Sequence, residues 1–476
     1  MLIGGQLVHS SNGEFDLSIN PATEEEIGRT PRATVADADA AVTAADKAWP
    51  AWAELTPAAR GNILREFGRA LRARADEILR VEVADTGNTM APMRGDVGKA
   101  VDSLDYYAGL AHELKGETIP ATPHNLHLTV REPYGVVLRI APFNHPLMFA
   151  VARTAGALAA GNAVVVKPPE TSPLSAMILA EVAREVFPPG VFNVVTGTGR
   201  TVGDALVRHP LIKRIAFIGS PATGRAIQSA AAAVAVKHVT LELGGKNPLV
   251  AFPDADPEAV AHAAVHGMNF AWQGQSCGST SRLLLHEDIH DQVLSLVVEK
   301  IKAIRIGDPL DPATGMGPVN SRMQYDKVLS YFEAARADGL VPLTGGGRPA
   351  GKQFKRGFWV EPTVYDDVQP GMRLWQEEVF GPILSVCRWK TFDEAVEKAN
   401  STEYGLTAAV WSNDINNALR MVRRIRAGHT WVNGSSGHYL GVPFGGMGNS
   451  GVGREEGIEE MLSYTELKTI NIIMKQ

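Results

Sequence analysis

From Val136 onward, short apolar runs alternate with alanine-rich helical stretches, and this rhythm limits the possible folds more than any other feature of the chain. The runs 136–140, 163–166, 191–195, 215–218 and 239–243 read as strands, and 147–160, 173–186, 201–208 and 223–233 between them read as helices. Strand, turn and helix repeated in that order give a parallel α/β sheet. A second α/β block follows, with strands at 248–252, 281–285, 383–389, 408–411 and 430–433 and helices at 257–271, 288–304, 321–338, 392–400 and 414–426. Before these blocks come short strands over 1–30, helices from Val35 to Asp85 with a start at Thr56-Pro57, a helix over 93–114, and an alternating stretch over 125–140 broken by a turn at 131–135. The tail, 462–474, reads as one extended strand, whose open edge calls for a partner.

A chain of 476 residues exceeds one ordinary core, so two or three domains are expected. A net charge of -6 without a basic run argues against a nucleic-acid footprint. No stretch reads as a signal peptide or a transmembrane span, so a cytoplasmic protein is expected. The 2 cysteines cannot build a disulfide framework, which fits a reducing compartment. Cys387 lies in an apolar strand and reads as core.

Cys277 is different. It sits in Gln273-Gly274-Gln275-Ser276-Cys277-Gly278-Ser279, among small and polar neighbours that let a substrate approach the sulfur. Taken alone, it reads as a loop cysteine without a role. Upstream, Glu242 ends the apolar strand 239–243 between two leucines. Lost hydration there raises a carboxyl pKa and makes the group a proton acceptor near neutral pH. Thiol and base together form the nucleophile pair that acyl chemistry requires.

Further segments join this pair. Asn144, in Ala141-Pro142-Phe143-Asn144-His145-Pro146, follows a strand and opens a helix, so its amide can donate to an oxyanion. Lys167 and Glu170 follow another strand, at the end where open α/β sheets bind ligands. The glycine-rich run from Gly197 to Gly203 departs from the usual dinucleotide spacing. Gly219 and Ser220 precede a helix whose N–H groups suit a phosphate. Glu377-Glu378-Val379-Phe380-Gly381-Pro382 and Pro443-Phe444-Gly445-Gly446 complete the set.

In this order and spacing, these segments resemble the aldehyde dehydrogenase superfamily over nearly the whole chain, from Asn20-Pro21-Ala22-Thr23 to Tyr464-Thr465-Glu466. The resemblance implies a Rossmann-like cofactor domain (1–115 and 134–243), an α/β catalytic domain (244–447) and a small β oligomerisation flap (116–133 and 460–476). It implies Cys277 as nucleophile, Glu242 as general base, and Asn144 with the Cys277 N–H as oxyanion donors. Lys167 and Glu170 match ligands of the adenosine ribose, and Gly199, Gly203, Gly219 and Ser220 match the pyrophosphate region. Glu378 matches the acceptor for the nicotinamide ribose and Phe380 the ring beside the nicotinamide. Core packing for Phe380, a plain helix cap for Ser220, and turn roles for Gly245 and Gly446 are the alternatives. By motif position the aldehyde tunnel involves Val101, His145, Phe149, Ala152, His438 and Phe444, with Arg153 either facing a substrate carboxylate or held in a structural ion pair.

The implied reaction oxidises a small-molecule aldehyde to the carboxylic acid through a thiohemiacetal and a thioester, without a metal. NAD is the implied cofactor, with NADP disfavoured because its 2′-phosphate would meet Glu170. A homodimer or homotetramer is implied. Glu242 weighs against a CoA-acylating relative, which typically lacks that acid. The full oxidising motif set weighs against an acyl-phosphate reductase, and the retained nucleophile weighs against a non-catalytic member. Two departures stand out: Phe143 where many relatives have Trp, and Met447-Gly448-Asn449 where many carry a lysine.

Overall fold

The computed structural model describes residues 1–474 and contains two large sheets. The first has eight strands, in the order Gly451–Val452, His238–Leu243, Ile212–Gly219, Val136–Ile140, Ala163–Lys167, Phe192–Val194, Leu2–Ile3 and Gln6–Leu7. Its five central strands run parallel, and the antiparallel pairs lie at the two edges. The chain starts this parallel core at Val136–Ile140, moves outward to Phe192–Val194, then returns to the other side with Ile212–Gly219. That reversal opens a crevice at the carboxyl ends of the strands, where doubly wound sheets hold ligands. Asn144 and Ser220 follow the two strands that flank it.

The second sheet has seven strands, with Ile383–Trp389, Arg282–His286, Pro248–Ala251 and Thr407–Trp411 parallel at its centre. These strands are buried on both faces, which is why they read as continuous apolar runs without alternation. Cys387 is a core residue of this block.

Local chemistry fixes the helix starts. Thr34 caps Val35–Glu54 in a reciprocal box: its hydroxyl accepts from the Asp37 N–H at 3.2 Å while Asp37 accepts from the Thr34 N–H at 2.8 Å. Thr56, Ser220 and Asp256 each cap a helix whose first residue is proline.

Asn125–Pro133 pairs antiparallel with Thr118–Thr122 on one side and with Thr465–Ile473 on the other. The expected 462–474 strand therefore begins only at Thr465. Ile458–Leu462 is helical, as its Glu-Glu-Met-Leu run favours. The last two residues of the expected flap, 475–476, lie outside the described residues. Among the described residues, no helix is long and apolar enough to cross a membrane.

Candidate active site

The loop carrying Cys277 is bent by residues that the sequence marks only weakly. Asn269, Gln273 and Gly274 all have left-handed backbone, with φ of 57, 54 and 69°. Gly274 is required there, because a Cβ would lie 2.3 Å from the Gly381 carbonyl. Side-chain bonds then hold the bend. Gln273 donates to the Gly87 carbonyl at 3.0 Å, and Gln275 donates to Gln273 at 2.7 Å while accepting from the Asn320 N–H at 3.1 Å. Asn247 donates to the carbonyls of Cys277 at 2.7 Å and Ser279 at 2.9 Å. Gly245 is more than a turn residue, since its Cβ would sit 2.9 Å from the Cys277 carbonyl.

Cys277 is half-buried and lines a cleft, open to solvent, with a cavity of about 90 Å³, together with Glu242, His145, Phe149, His438 and Phe444. Glu242 projects from the edge strand His238–Leu243, which pairs with the two-residue strand Gly451–Val452. Gly451, with φ 147°, makes that close pairing possible, since a Cβ would meet the Leu241 carbonyl at 2.3 Å. Glu242 is buried, and its Oε1 has no hydrogen-bond partner among the described residues. Burial, and then the Glu455 carboxylate, hold Glu242 well above the usual carboxylate range. Burial, then Glu242, Glu378 and Glu455, likewise push the Cys277 thiol up. The Cys277 N–H makes no backbone hydrogen bond, and the buried Asn144 leaves its Oδ1 unbonded among the described residues. The Asn144 carbonyl is anchored by the Asn88 amide at 2.9 Å.

One wall is the helix Pro146–Ala159, which faces the cleft with Met148, Phe149 and Arg153. His145, just before it, is fixed by Asp96 at 2.5 Å and packs on Phe149 and Trp272 at 5.5 and 5.3 Å. Opposite, His438 lies 4.6 Å from Phe444 between ring centres and contacts Glu456 at 3.2 Å. Two expected tunnel residues are absent from this wall. Ala152 lies on the same helix face as Met148 and Phe149, one turn on, but its short side chain is buried and does not line the cleft. Val101 packs into the helical core beside Gly68 and Leu104.

Arg153 is held in a structural ion pair. It faces Glu455 at 2.9 Å, Glu456 at 2.7 Å and Glu460 at 3.6 Å, and Glu455 also meets Arg139 at 3.3 Å. Burial would raise the Glu456 carboxyl, but Arg153 and His438 outweigh it and bring the group down to about 2. Glu455 and Glu456 were not singled out by sequence, because two consecutive acids after Arg454 look like a solvated run. The same holds for Asp96, Lys99 and Trp272, which also line the cleft.

A second cradle lies at the strand ends of the first sheet. Glu170 accepts a hydrogen bond from the Gly199 N–H, and a Cβ on Gly199 would fall 3.2 Å from that carboxylate. Lys167 is buried and spends one donor on the Pro168 carbonyl at 2.9 Å, and burial brings it down to about 8. Gly203 faces the Lys167 side chain, where a Cβ would come within 3.8 Å. Gly219 ends its strand. Ser220 acts as a helix cap, accepting from the Thr223 N–H at 3.3 Å. Between the cradle and the cleft stand Glu378 and Phe380. Glu378 accepts from the Gly245 N–H at 2.9 Å. Phe380, at φ 52°, is only partly buried and meets Phe143 edge-on at 5.6 Å, so Phe143 is part of this wall.

The profile described as "Aldehyde dehydrogenase family" matches residues 8–470. The chain is 46% identical over 462 residues to aldehyde dehydrogenase tropH of Talaromyces stipitatus, covering 96% of this chain and 89% of that protein. It is 41% identical over 474 residues to a betaine aldehyde dehydrogenase of Brucella anthropi, covering 99% and 96%. The crystal structure of PnpE from Pseudomonas sp. WBC-3 superposes with a TM-score of 0.97 at 41% identity, covering 100% of this chain and 97% of that one, and PnpE has also been crystallised with nicotinamide adenine dinucleotide. On sequence and on fold alike, the chain belongs to the aldehyde dehydrogenase family.

Proposed function

We propose that this chain oxidises an aldehyde to its carboxylic acid with NAD, using Cys277 as nucleophile and Glu242 as base. The observation that carries the reading is the pairing, in one cleft, of a half-buried thiol with a buried carboxylate whose Oε1 has no partner among the described residues. A carboxylate so placed, with its affinity for protons raised, takes the proton of the thiol. The thiolate attacks the aldehyde carbon, and the Asn144 amide and the Cys277 N–H donate to the oxygen that becomes negative. After oxidation the acyl group remains on sulfur as a thioester. Glu242 releases the thiol's proton to solvent, then takes a proton from water; the hydroxyl attacks the thioester carbon, the C–S bond breaks, and the acid leaves as the Cys277 thiolate regains a proton from Glu242.

The second cradle fits NAD. Lys167 keeps donors for ribose hydroxyls, Glu170 accepts from them, and the missing Cβ atoms at Gly199 and Gly203 leave room for the dinucleotide. Glu378 and Phe380 would hold the nicotinamide end near Cys277. When bound, NAD supplies the hydride acceptor. The relatives support this choice, since PnpE and a betaine aldehyde dehydrogenase from Staphylococcus aureus were crystallised with the dinucleotide.

Residues 1–115 with 134–243 form the NAD-binding domain in this reading, 244–447 the catalytic domain, and the three-stranded sheet the oligomerisation flap. A homodimer or homotetramer is supported by Leu467, Ile470 and Ile473, which stand exposed on the edge strand Thr465–Ile473. The test is the absorbance of reduced cofactor on mixing protein, NAD and an aldehyde panel. Sustained turnover that disappears in Cys277→Ala is expected, and turnover unchanged in that variant would refute the assignment.

A further inference from the structure

Apart from Glu242, each acid that lines the cleft has a basic side chain in contact. Asp96 is met by His145 at 2.5 Å. Glu455 is met by Arg139 and Arg153 at 3.3 and 2.9 Å. Glu456 is met by Arg153 and His438 at 2.7 and 3.2 Å. Glu242 is buried, and its burial and the nearby Glu455 carboxylate favour its neutral form. Lys99 is the exception. It lines the same cleft, yet among the described residues no carboxylate pairs with it. Asp96, three positions earlier on the helix Met90–Leu110, would be the obvious partner, but it is buried and turned to His145. Lys99 is exposed, whereas Glu242 is buried, so the free ammonium marks the solvent end of the cleft and the base its inner end. The apolar rings of Phe149, Trp272 and Phe444 line the same cleft.

We propose that Lys99 is a specificity-determining residue that binds a carboxylate carried by the aldehyde at the end remote from its carbonyl, so that anionic semialdehydes are preferred over neutral and quaternary-ammonium aldehydes. This inference rests on the aldehyde-oxidising reading of the same cleft. A carbon chain or ring laid along the apolar walls puts its carbonyl at Cys277 and its far end toward the ammonium. A carboxylate there gains a charged partner without displacing an existing one. A trimethylammonium group meets a like charge and finds every acid of the wall already paired. Because Lys99 is exposed, the gain is that of a solvent-facing pair, about fivefold in affinity, and it weakens with salt.

The test uses para-carboxybenzaldehyde and its uncharged counterpart methyl para-formylbenzoate, with kcat/KM measured for the wild type and for Lys99→Gln, Lys99→Arg and Lys99→Glu. The wild type is expected to favour the carboxylate by about fivefold. Lys99→Gln should erase that ratio through KM, Lys99→Arg should keep it, and Lys99→Glu should invert it. Salt at roughly 0.5 M should narrow the wild-type ratio. A wild type that oxidises both compounds with a ratio unmoved by Lys99→Gln and Lys99→Glu would overturn the role of Lys99. A wild type that oxidises no member of a wider panel of aliphatic and aromatic aldehydes would overturn the aldehyde-oxidising reading itself, whereas one that oxidises that panel but neither of these two compounds would overturn the role of Lys99.

Discussion

The side-chain amide of Asn247 donates to the backbone carbonyl of Cys277 at 2.7 Å. Its other contacts run to the Ser279 carbonyl at 2.9 Å and, through its oxygen, to the Thr407 N–H at 3.0 Å. One buried amide thus ties the nucleophile loop to a central strand of the second sheet. Asn247→Ala leaves the Thr407 N–H and the Cys277 carbonyl unpaired, while the Ser279 carbonyl keeps the Ser281 N–H, at about 1–3 kcal/mol for each buried group that finds no water. A lower melting temperature and a kcat reduced by about 10²-fold from a displaced sulfur are expected. Wild-type kcat in a correctly folded variant would remove Asn247 from the positioning of Cys277.

Gly245→Ala tests the same junction by crowding. The added methyl would sit 2.4 Å from the Asn247 amide oxygen and 2.9 Å from the Cys277 carbonyl, and Gly245 also supplies the N–H that holds Glu378. Loss of activity together with weaker NAD binding, measured by calorimetry, is expected. A variant that loses neither would show that the junction can relax.

Cofactor choice follows from Glu170. Its carboxylate is oriented by the Gly199 N–H beside the Lys167 ammonium. The 2′-phosphate of NADP replaces a ribose donor with roughly two negative charges, so NAD should be favoured by at least about tenfold in kcat/KM. Glu170→Ser should raise NADP use and weaken NAD. A wild type that prefers NADP would contradict the role of this carboxylate.

Stability carries a pH signature remote from the chemistry. Burial holds Glu82 up at about 8 and Asp85 up at about 7. Both carboxyls ionise near their ordinary values of about 4 once the chain unfolds. Between about pH 5 and 8 the folded state therefore holds more protons than the unfolded state, and stability falls as pH rises through that window. Glu82→Gln keeps an acceptor for the Leu147 N–H and the Ser175 hydroxyl, both bound to Oε1 at 2.8 and 2.7 Å, and removes one titration. The drop in melting temperature from pH 5 to pH 8 should be smaller in that variant. An unchanged drop would show that Glu82 is already ionised in the folded protein across this range.

Cys277, Glu242 and the central strands are legible in the sequence because each is a local signal: a cysteine among small residues, an acid closing an apolar run, and apolar runs of strand length. The ion-pair group of Arg153 with Glu455, Glu456 and Glu460 is not legible, since it joins positions about 300 residues apart and each acid looks solvated alone. The strand Gly451–Val452 that closes the sheet beside Glu242 is two residues long, below any periodic signal. Ala152 was expected in the tunnel from its motif position. Its position, one turn beyond Met148 and Phe149, is on the face that meets the cleft, but a single methyl is covered by the longer side chains around it and stays buried.

The most direct measurement is intact-mass spectrometry with peptide mapping on Glu242→Gln incubated with NAD and an aldehyde. With water activation impaired by about 10²–10⁴-fold, the oxidised acyl group should accumulate as a thioester, visible as one added acyl mass located on Cys277 and absent from the core residue Cys387. The same mixture should give a burst of reduced cofactor followed by slow turnover. Normal steady-state turnover without an adduct, or an adduct on any residue other than Cys277, would contradict the nucleophile–base pair.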